Sequence, residues 1–241
     1  MALSVAIMGV PSRRSLYRGG MLNVLPDGVQ IIEDTEGRGV FPTAFRAWSS
    51  YNPQATHHLV LHDDLLLPLN FMSLVTNVME RNPENVLSFH AFSVKIHDAF
   101  QSGAPWAVCK QISGQANLYP VLILERLMGF CKHQLKPKMP LKPGKKFLSD
   151  AAAVNMFLRV EHRKAYMPLP NFVQHAAPRD GVAGQNNLGK ISPCYIGDYP
   201  GAKFDWSFDK DLPYPTVYPY KRREHWEWDY YIGPSPFKED E

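Results

Sequence analysis

The sequence predicts an α/β fold: a mostly parallel sheet flanked by helices over residues 1–190, followed by an irregular, aromatic-rich C-terminal extension over 191–241. Three observations carry this. Short apolar runs of strand length alternate with segments whose apolar residues recur at helical spacing, the pattern of βαβ units. Several of these runs stop abruptly in glycine, proline or charged residues. Composition then changes near Ile191: the last 51 residues hold 13 of the 29 aromatic residues and seven of the 21 prolines, with little periodicity. An extension so aromatic is expected to pack on the main domain, because disordered tails are poor in such residues.

Taken in order, Ser4 to Val10 is apolar and reads as the first strand. It lacks the basic lead-in of a secretion signal and runs straight into Pro11-Ser12-Arg13-Arg14. Val29 to Glu33 reads as a second strand ending at Asp34. A helix is expected to start at Pro42-Thr43, with Thr43 as its cap and Ala44, Phe45, Trp48 and Tyr51 on one face, and to end at Asn52-Pro53. His58 to Leu61 is a third strand that stops at His62-Asp63-Asp64. Asn70 to Arg81 is helical and is broken by Asn82-Pro83. Val86 to Phe92 and Trp106 to Gln111 read as strands, Leu118 to Phe130 and Leu148 to Val160 as helices. Between those two helices, Lys132 to Lys146 carries six lysines with Pro137, Pro140, Pro143 and Gly144, which predicts an exposed, mobile loop.

Composition narrows the classes of function. With 45% hydrophobic and 20% charged residues, a chain of 241 residues can bury a substantial core. No run of about 18 apolar residues marks a membrane span. Cys109, Cys131 and Cys194 are odd in number and far apart, which fits neither a disulfide framework nor a metal cluster and favours a reducing, cytoplasmic setting. A net charge of +3 does not announce a nucleic-acid binder and does not exclude local basic patches. The absence of Gly-x-Gly-x-x-Gly and of a Walker-type loop argues against dinucleotide oxidoreductases and P-loop kinases. His57-His58 and His90 with His97 lack helical metal spacing and read as structural.

The chemistry gathers at strand ends, where ligands bind in parallel sheets. Two adjacent acids, Asp63 and Asp64, repel one another and lose hydration there, so they call for a cation such as Mg²⁺ or Mn²⁺ shared with phosphate oxygens. The same pair is also compatible with a solvated turn in which Asp64 caps a helix. Asp34 follows its own apolar strand, as acids that bind a ribose or base do. Val10-Pro11 turns the chain sharply, and the guanidiniums of Arg13 and Arg14 follow, suited to a diphosphate.

Asp34, then Arg46-Ala47-Trp48, then the apolar strand into Asp63-Asp64 with Pro68 and Phe71 behind it, resembles small glycosyltransferases of the GT-A type. The likeness is greatest to those of bacteriophage genomes. The resemblance covers roughly residues 4 to 180. It implies a nucleotide-sugar donor, UDP-sugar foremost, whose diphosphate is bridged to the protein by Mn²⁺ or Mg²⁺. Asp64, with Asp63 beside it, then stands on the metal side, and Val10, Pro11, Arg13, Asp34, Arg46 and Asp63 around the donor. His62 occupies a position where many relatives carry another polar residue. Ser113-Gly114-Gln115-Ala116, read as a turn before a helix, resembles the segment near sugar and acceptor, placing Gly114 and Gln115 there. Phe147-Leu148-Ser149-Asp150 resembles the helix start whose carboxylate is the general base of inverting members, which makes Asp150 the catalytic candidate; helix capping by Ser149 and Asp150 accounts for the same residues. Pro170 to His175 resembles the late strand that brings a histidine, His175, to the metal or the diphosphate.

The acceptor is not written in a motif. The lysine run and Lys221-Arg222-Arg223-Glu224-His225-Trp226-Glu227-Trp228 set basic groups beside aromatics, which suits phosphate contact and base stacking. The phage resemblance implies a hydroxymethylated pyrimidine in DNA, flipped out to reach the site. A cell-surface glycan or another saccharide is the alternative acceptor. A non-catalytic nucleic-acid-binding module, with a structural Asp-Asp turn, is the alternative from another class.

Overall fold

The computed structural model describes residues 1–91, 94–135, 149–176, 192–199 and 202–217. Strand β1, Leu3–Gly9, lies between β2, Gln30–Glu33, and β3, His57–His62, and runs parallel to both. On the far side of β3 lies β7, Ala116–Pro120, antiparallel to it, followed outward by β5, Val86–Ser88, then β8, Ala165–Pro168, β6, Trp106–Cys109, and β10, Thr216–Val217. The eight-stranded sheet is mixed: β7 is antiparallel to both its neighbours and β6 to β8, while β5–β8 and β6–β10 pair in parallel. A separate two-stranded ribbon joins β4, Leu65–Leu66, to β9, Gln174–His175.

Alternation along each strand divides the core into two faces. Ala6, Met8 and Val60 face α2 (Val40–Ser49), α5 (Val121–His133) and α6 (Asp150–Val160), where Trp48, Leu124 and Phe157 are fully buried. Val5, Ile7, Leu59 and Leu61 face the opposite way, toward Tyr17 of α1 (Arg14–Gly19) and toward Phe71, Val75 and Val78 of α3 (Phe71–Arg81). Each such large apolar side chain contributes about 1.5–3 kcal/mol on burial. The remaining helix, α4 (Val94–Gln101), was not legible as periodicity.

Three expectations need correction. The apolar stretch from Leu118 is not all helix: residues 116–120 are a buried central strand, and the helix begins only at Val121, after Pro120. Period cannot separate a short, wholly buried strand from a helix start, because burial on both faces removes the alternation that marks a strand. Gly114-Gln115 therefore leads into a strand, not a helix. The second helix starts at Val40, not at Thr43. Gly39, at φ 99°, takes the turn, and Thr43 sits one turn inside with its hydroxyl donating to the Gly39 carbonyl. Pro42 falls in the first turn, where a missing N–H costs nothing. Finally, Lys132 and His133 close α5 instead of opening a loop; residues 136–148, with the other five lysines, lie outside the described residues.

The C-terminal extension contributes to this core where it is described. Trp206 is buried between Phe172 and Phe204, its indole N–H donates to the Leu169 carbonyl, and its own carbonyl accepts from the Trp106 indole. No helix among the described residues is long and apolar enough to cross a membrane.

Candidate active site

Because β1, β2 and β3 are parallel, their carboxyl ends share one edge of the sheet. Antiparallel β7 brings its amino end to the same edge, so Gln115 meets His62: the His62 amide donates to the Gln115 carbonyl at 2.8 Å. The β4–β9 ribbon folds His175 back over Asp64, pairing Leu65 with His175. The amino end of α6 delivers Asp150. This edge thus unites Asp63, Asp64, His175, His62, Gly114, Gln115 and Asp150 from four separate segments.

At the centre stand the two acids. Asp63 Oδ2 accepts from the Val10 amide at 2.8 Å, and Asp63 Oδ1 from Arg13 Nη1 at 3.1 Å. Arg13 Nη1 also reaches Asp64 Oδ2 at 2.5 Å, and His175 Nε2 lies 3.4 Å from that same oxygen. Burial, then the Asp64 charge, push the Asp63 pKa above its ordinary value, while the Val10 amide and Arg13 pull it back. The close approach depends on Gly9, where a Cβ would fall 2.5 Å from Asp63 Oδ2. Pro11 opens the short turn Pro11–Arg13 that follows and places Arg13 over the acids. Arg14 points elsewhere: its guanidinium grips Glu33, which also accepts from Tyr17. That grip holds the Glu33 carboxyl down at about 2.

The fit of a divalent cation can be judged from Asp64. Its Oδ1 is buried and meets no hydrogen-bond donor among the described residues. Such an oxygen pays its desolvation cost uncompensated, and a hard cation is the partner it suits. No group of three or more histidines, cysteines or acids among the described residues forms a complete cage. Mg²⁺ and Mn²⁺ at nucleotide sites need less, since one or two protein groups suffice when phosphates and water supply the rest. Asp64 and His175 match that partial set.

Directly before the two acids in the chain, His62 places Nε2 3.0 Å from Asp150 Oδ2 of α6. The carboxylate can only accept, so that nitrogen carries the proton. Burial alone would lower the His62 pKa; the Asp150 charge and hydrogen bond, followed by the charges of Asp64 and Asp63, outweigh it and raise the pKa above its ordinary value. The cap of α6 is Ser149, whose Oγ accepts from the Ala152 amide. Capping therefore accounts for Ser149 and leaves the Asp150 carboxylate to His62. Gly114 packs directly on that carboxylate, with no room for a Cβ. Beside it, Gln115 Oε1 is buried and without a partner among the described residues.

Asp34 and Arg46 line a separate cleft of about 250 Å³ with Arg38, Phe41, Pro42, Thr43 and Phe45. The Asp34 amide donates to the Gly9 carbonyl at 2.8 Å, which fixes the cleft beside the end of β1. Both Asp34 oxygens accept from the loop leading into α2, from the Arg38 and Gly39 amides at 2.8 Å each. Arg46 donates to the Glu33 carbonyl. Asp34 and Asp63 thus meet the end of β1 through neighbouring residues, Gly9 and Val10.

Sequence reasoning missed the His62–Asp150 contact and the role of Gly9. The partners in the first are 88 positions apart, and nothing local marks either. His57 and His58 are structural, as expected: both rings are buried in hydrogen bonds to backbone carbonyls. The three cysteines are buried, and burial pushes their thiols up to about 11–12, which leaves no nucleophile among them.

No family model matches the chain, and no curated protein matches it. Among solved structures the chain is similar to the mannosyltransferase PcManGT from Pyrobaculum calidifontis in complex with GDP-Man and Mn²⁺, at 14% identity and a TM-score of 0.49 over 75% of this chain and 58% of that one. It is similar to S. aureus TarS 1-349 at 11% identity and a TM-score of 0.49, over 74% and 61% of the two chains. A putative glucose-1-phosphate thymidylyltransferase from Bacillus anthracis, in complex with a sucrose, matches at 9% identity and a TM-score of 0.40, over 73% and 90%. The chain spans about three-fifths of the length of the first two. Identity at this level says nothing about substrate.

Proposed function

We propose that the chain is a metal-dependent glycosyltransferase that moves a sugar from a nucleotide-sugar, UDP-sugar foremost, to an acceptor hydroxyl. One observation carries the reading. Asp64, with a buried oxygen lacking a partner among the described residues, and Asp150, held by His62, stand at one sheet edge, and His62 feels both charges. One acid suits a cation and the other a proton. Transfer from a diphosphate needs both.

In this reading the Asp34–Arg46 cleft takes the nucleoside. The turn at Val10 and Pro11, with Arg13 and Asp63, lies along the diphosphate. Asp64 and His175 hold Mn²⁺ or Mg²⁺, which when bound neutralises the leaving diphosphate as a Lewis acid. Gly114, packed on Asp150, lies beside the sugar and acceptor, and Gln115 Oε1 accepts from one of the sugar hydroxyls. Asp150 takes the acceptor proton as the acceptor oxygen bonds to the anomeric carbon and the carbon–phosphate-oxygen bond breaks. A single in-line displacement of this kind inverts the anomeric centre. Residues 1–190 form the catalytic domain and 191–241 the extension packed on it, in a cytoplasmic setting, that of the host cell for a phage-encoded chain. For the acceptor, a hydroxymethylated pyrimidine in DNA follows from the phage resemblance, with a saccharide hydroxyl as the alternative. The lysines and the 221–228 stretch behind the DNA reading lie outside the described residues.

Calorimetry of UDP binding with and without Mn²⁺ tests the proposal. The parent should bind UDP in a metal-dependent way. Asp64→Asn should keep its melting temperature and lose the metal dependence. Unchanged metal-dependent binding in that variant would overturn the reading, and stabilisation by DNA alone, with no response to nucleotide, would favour the non-catalytic nucleic-acid-binding module.

A further inference from the structure

We propose that Arg13 is the resident cation of the Asp63–Asp64 pair, and that a divalent cation is held firmly at Asp64 only when a diphosphate draws Arg13 away. The inference rests on the glycosyltransferase reading for the identity of its ligands. One nitrogen, Arg13 Nη1, spans both carboxylates, at 3.1 Å from Asp63 and 2.5 Å from Asp64. The three side chains are nearly sealed from water, with 11%, 5% and 6% of their surfaces exposed. Asp63 is fully engaged, since its other oxygen accepts from the Val10 amide. Asp64 is engaged on one side only: Oδ2 meets Arg13 and His175, while Oδ1 is buried with no partner among the described residues.

A cation held at Oδ1 would share the Asp64 carboxylate with the Arg13 guanidinium, like charges on one group in a poorly hydrated site. Two carboxylates cannot balance a guanidinium and a divalent ion together. A diphosphate supplies the missing negative charge, and its oxygens match the guanidinium fork. The Arg13 amide is fixed to the Val10 carbonyl at 3.0 Å, so the exchange of partners falls on the side chain. Arg14 is no substitute, being committed to Glu33 through both arms of its guanidinium. The coupling is reciprocal: whatever UDP adds to Mn²⁺ affinity, Mn²⁺ adds to UDP affinity.

The test is Mn²⁺ binding to the full chain, followed by the electron paramagnetic resonance signal of the free ion, with and without UDP. In the parent, UDP should tighten Mn²⁺ binding at least tenfold. Arg13→Gln and Arg13→Met should bind Mn²⁺ without nucleotide at least tenfold more tightly than the parent, and UDP should then add little. Arg13→Lys, which keeps the charge, should stay within about threefold of the parent. Circular dichroism melts select the folded variants, and either neutral variant suffices. Metal-dependent UDP binding in the parent, combined with unchanged nucleotide-free Mn²⁺ affinity in the neutral variants, would overturn this inference alone. A parent that binds neither UDP nor Mn²⁺ in any combination would overturn both it and the glycosyltransferase reading.

Discussion

Asp150 and Ser149 are neighbours of similar capping ability, and the structure divides the work between them. Ser149 Oγ satisfies the Ala152 amide, a contact worth about 1 kcal/mol to the helix. Asp150 instead packs on Gly114 and receives the His62 proton. Asp150→Asn should therefore leave the melting temperature nearly unchanged and UDP affinity intact, while turnover falls about a hundredfold or more, the scale of a lost general base. A fall in turnover that tracks a fall in melting temperature would make Asp150 a structural residue. Residue types and strand ends were enough to single out Asp63, Asp64 and Asp34, and the glycosyltransferase resemblance pointed to Asp150. They were not enough to single out His62 as the partner of Asp150, because hydrogen bonding between residues 88 apart leaves no local trace.

Strand β3 shows how one element carries both core and site. Its alternation sends Leu59 and Leu61 to one face and His58, Val60 and His62 to the other. His58 is fully buried: Nε2 donates to the Ala47 carbonyl at 2.9 Å, so Nδ1 is the acceptor for the Ser4 hydroxyl at 2.8 Å. That arrangement needs the neutral ring, and burial lowers its pKa to about 4. In the unfolded chain the same ring titrates near 6.5. Between these values the unfolded state binds the extra proton, so the stability due to neutral His58 is present above pH 6.5 and is lost as pH falls toward 4. The loss is on the order of 3 kcal/mol. Urea titrations of the parent and His58→Gln across this range check it: the parent should lose stability more steeply, and parallel curves would refute the assignment. At this scale the apolar run into His62 was plain as a strand, whereas β7 was not, since its five buried residues carry no period that distinguishes strand from helix.

Across the whole molecule, the described part of the C-terminal extension, residues 192–199 and 202–217, is part of the fold. Trp206 ties it to the sheet through the Leu169 carbonyl and the Trp106 indole, and β10 extends the sheet beside β6. Trp206→Ala should cost about 3–5 kcal/mol in urea unfolding, the usual loss for a buried tryptophan. A loss below about 0.5 kcal/mol, the surface-substitution range, would show that the extension is peripheral. Composition led to the expectation of packing, and among the described residues Trp206 meets it.

The sequence by itself determined the α/β class, the first three strands and the acids at their ends, since each follows from local pattern and composition. Only the tertiary structure decided which side chains those acids meet. Antiparallel β7 carries Gln115 to His62, the β4–β9 ribbon carries His175 to Asp64, and α6 carries Asp150 to His62. It also decided that Arg13 lies on Asp63 and Asp64. The physical reason is that a local pattern specifies which face of an element is buried, while the partner across a strand edge is chosen by chain topology and by the charges and unsatisfied oxygens that folding brings together.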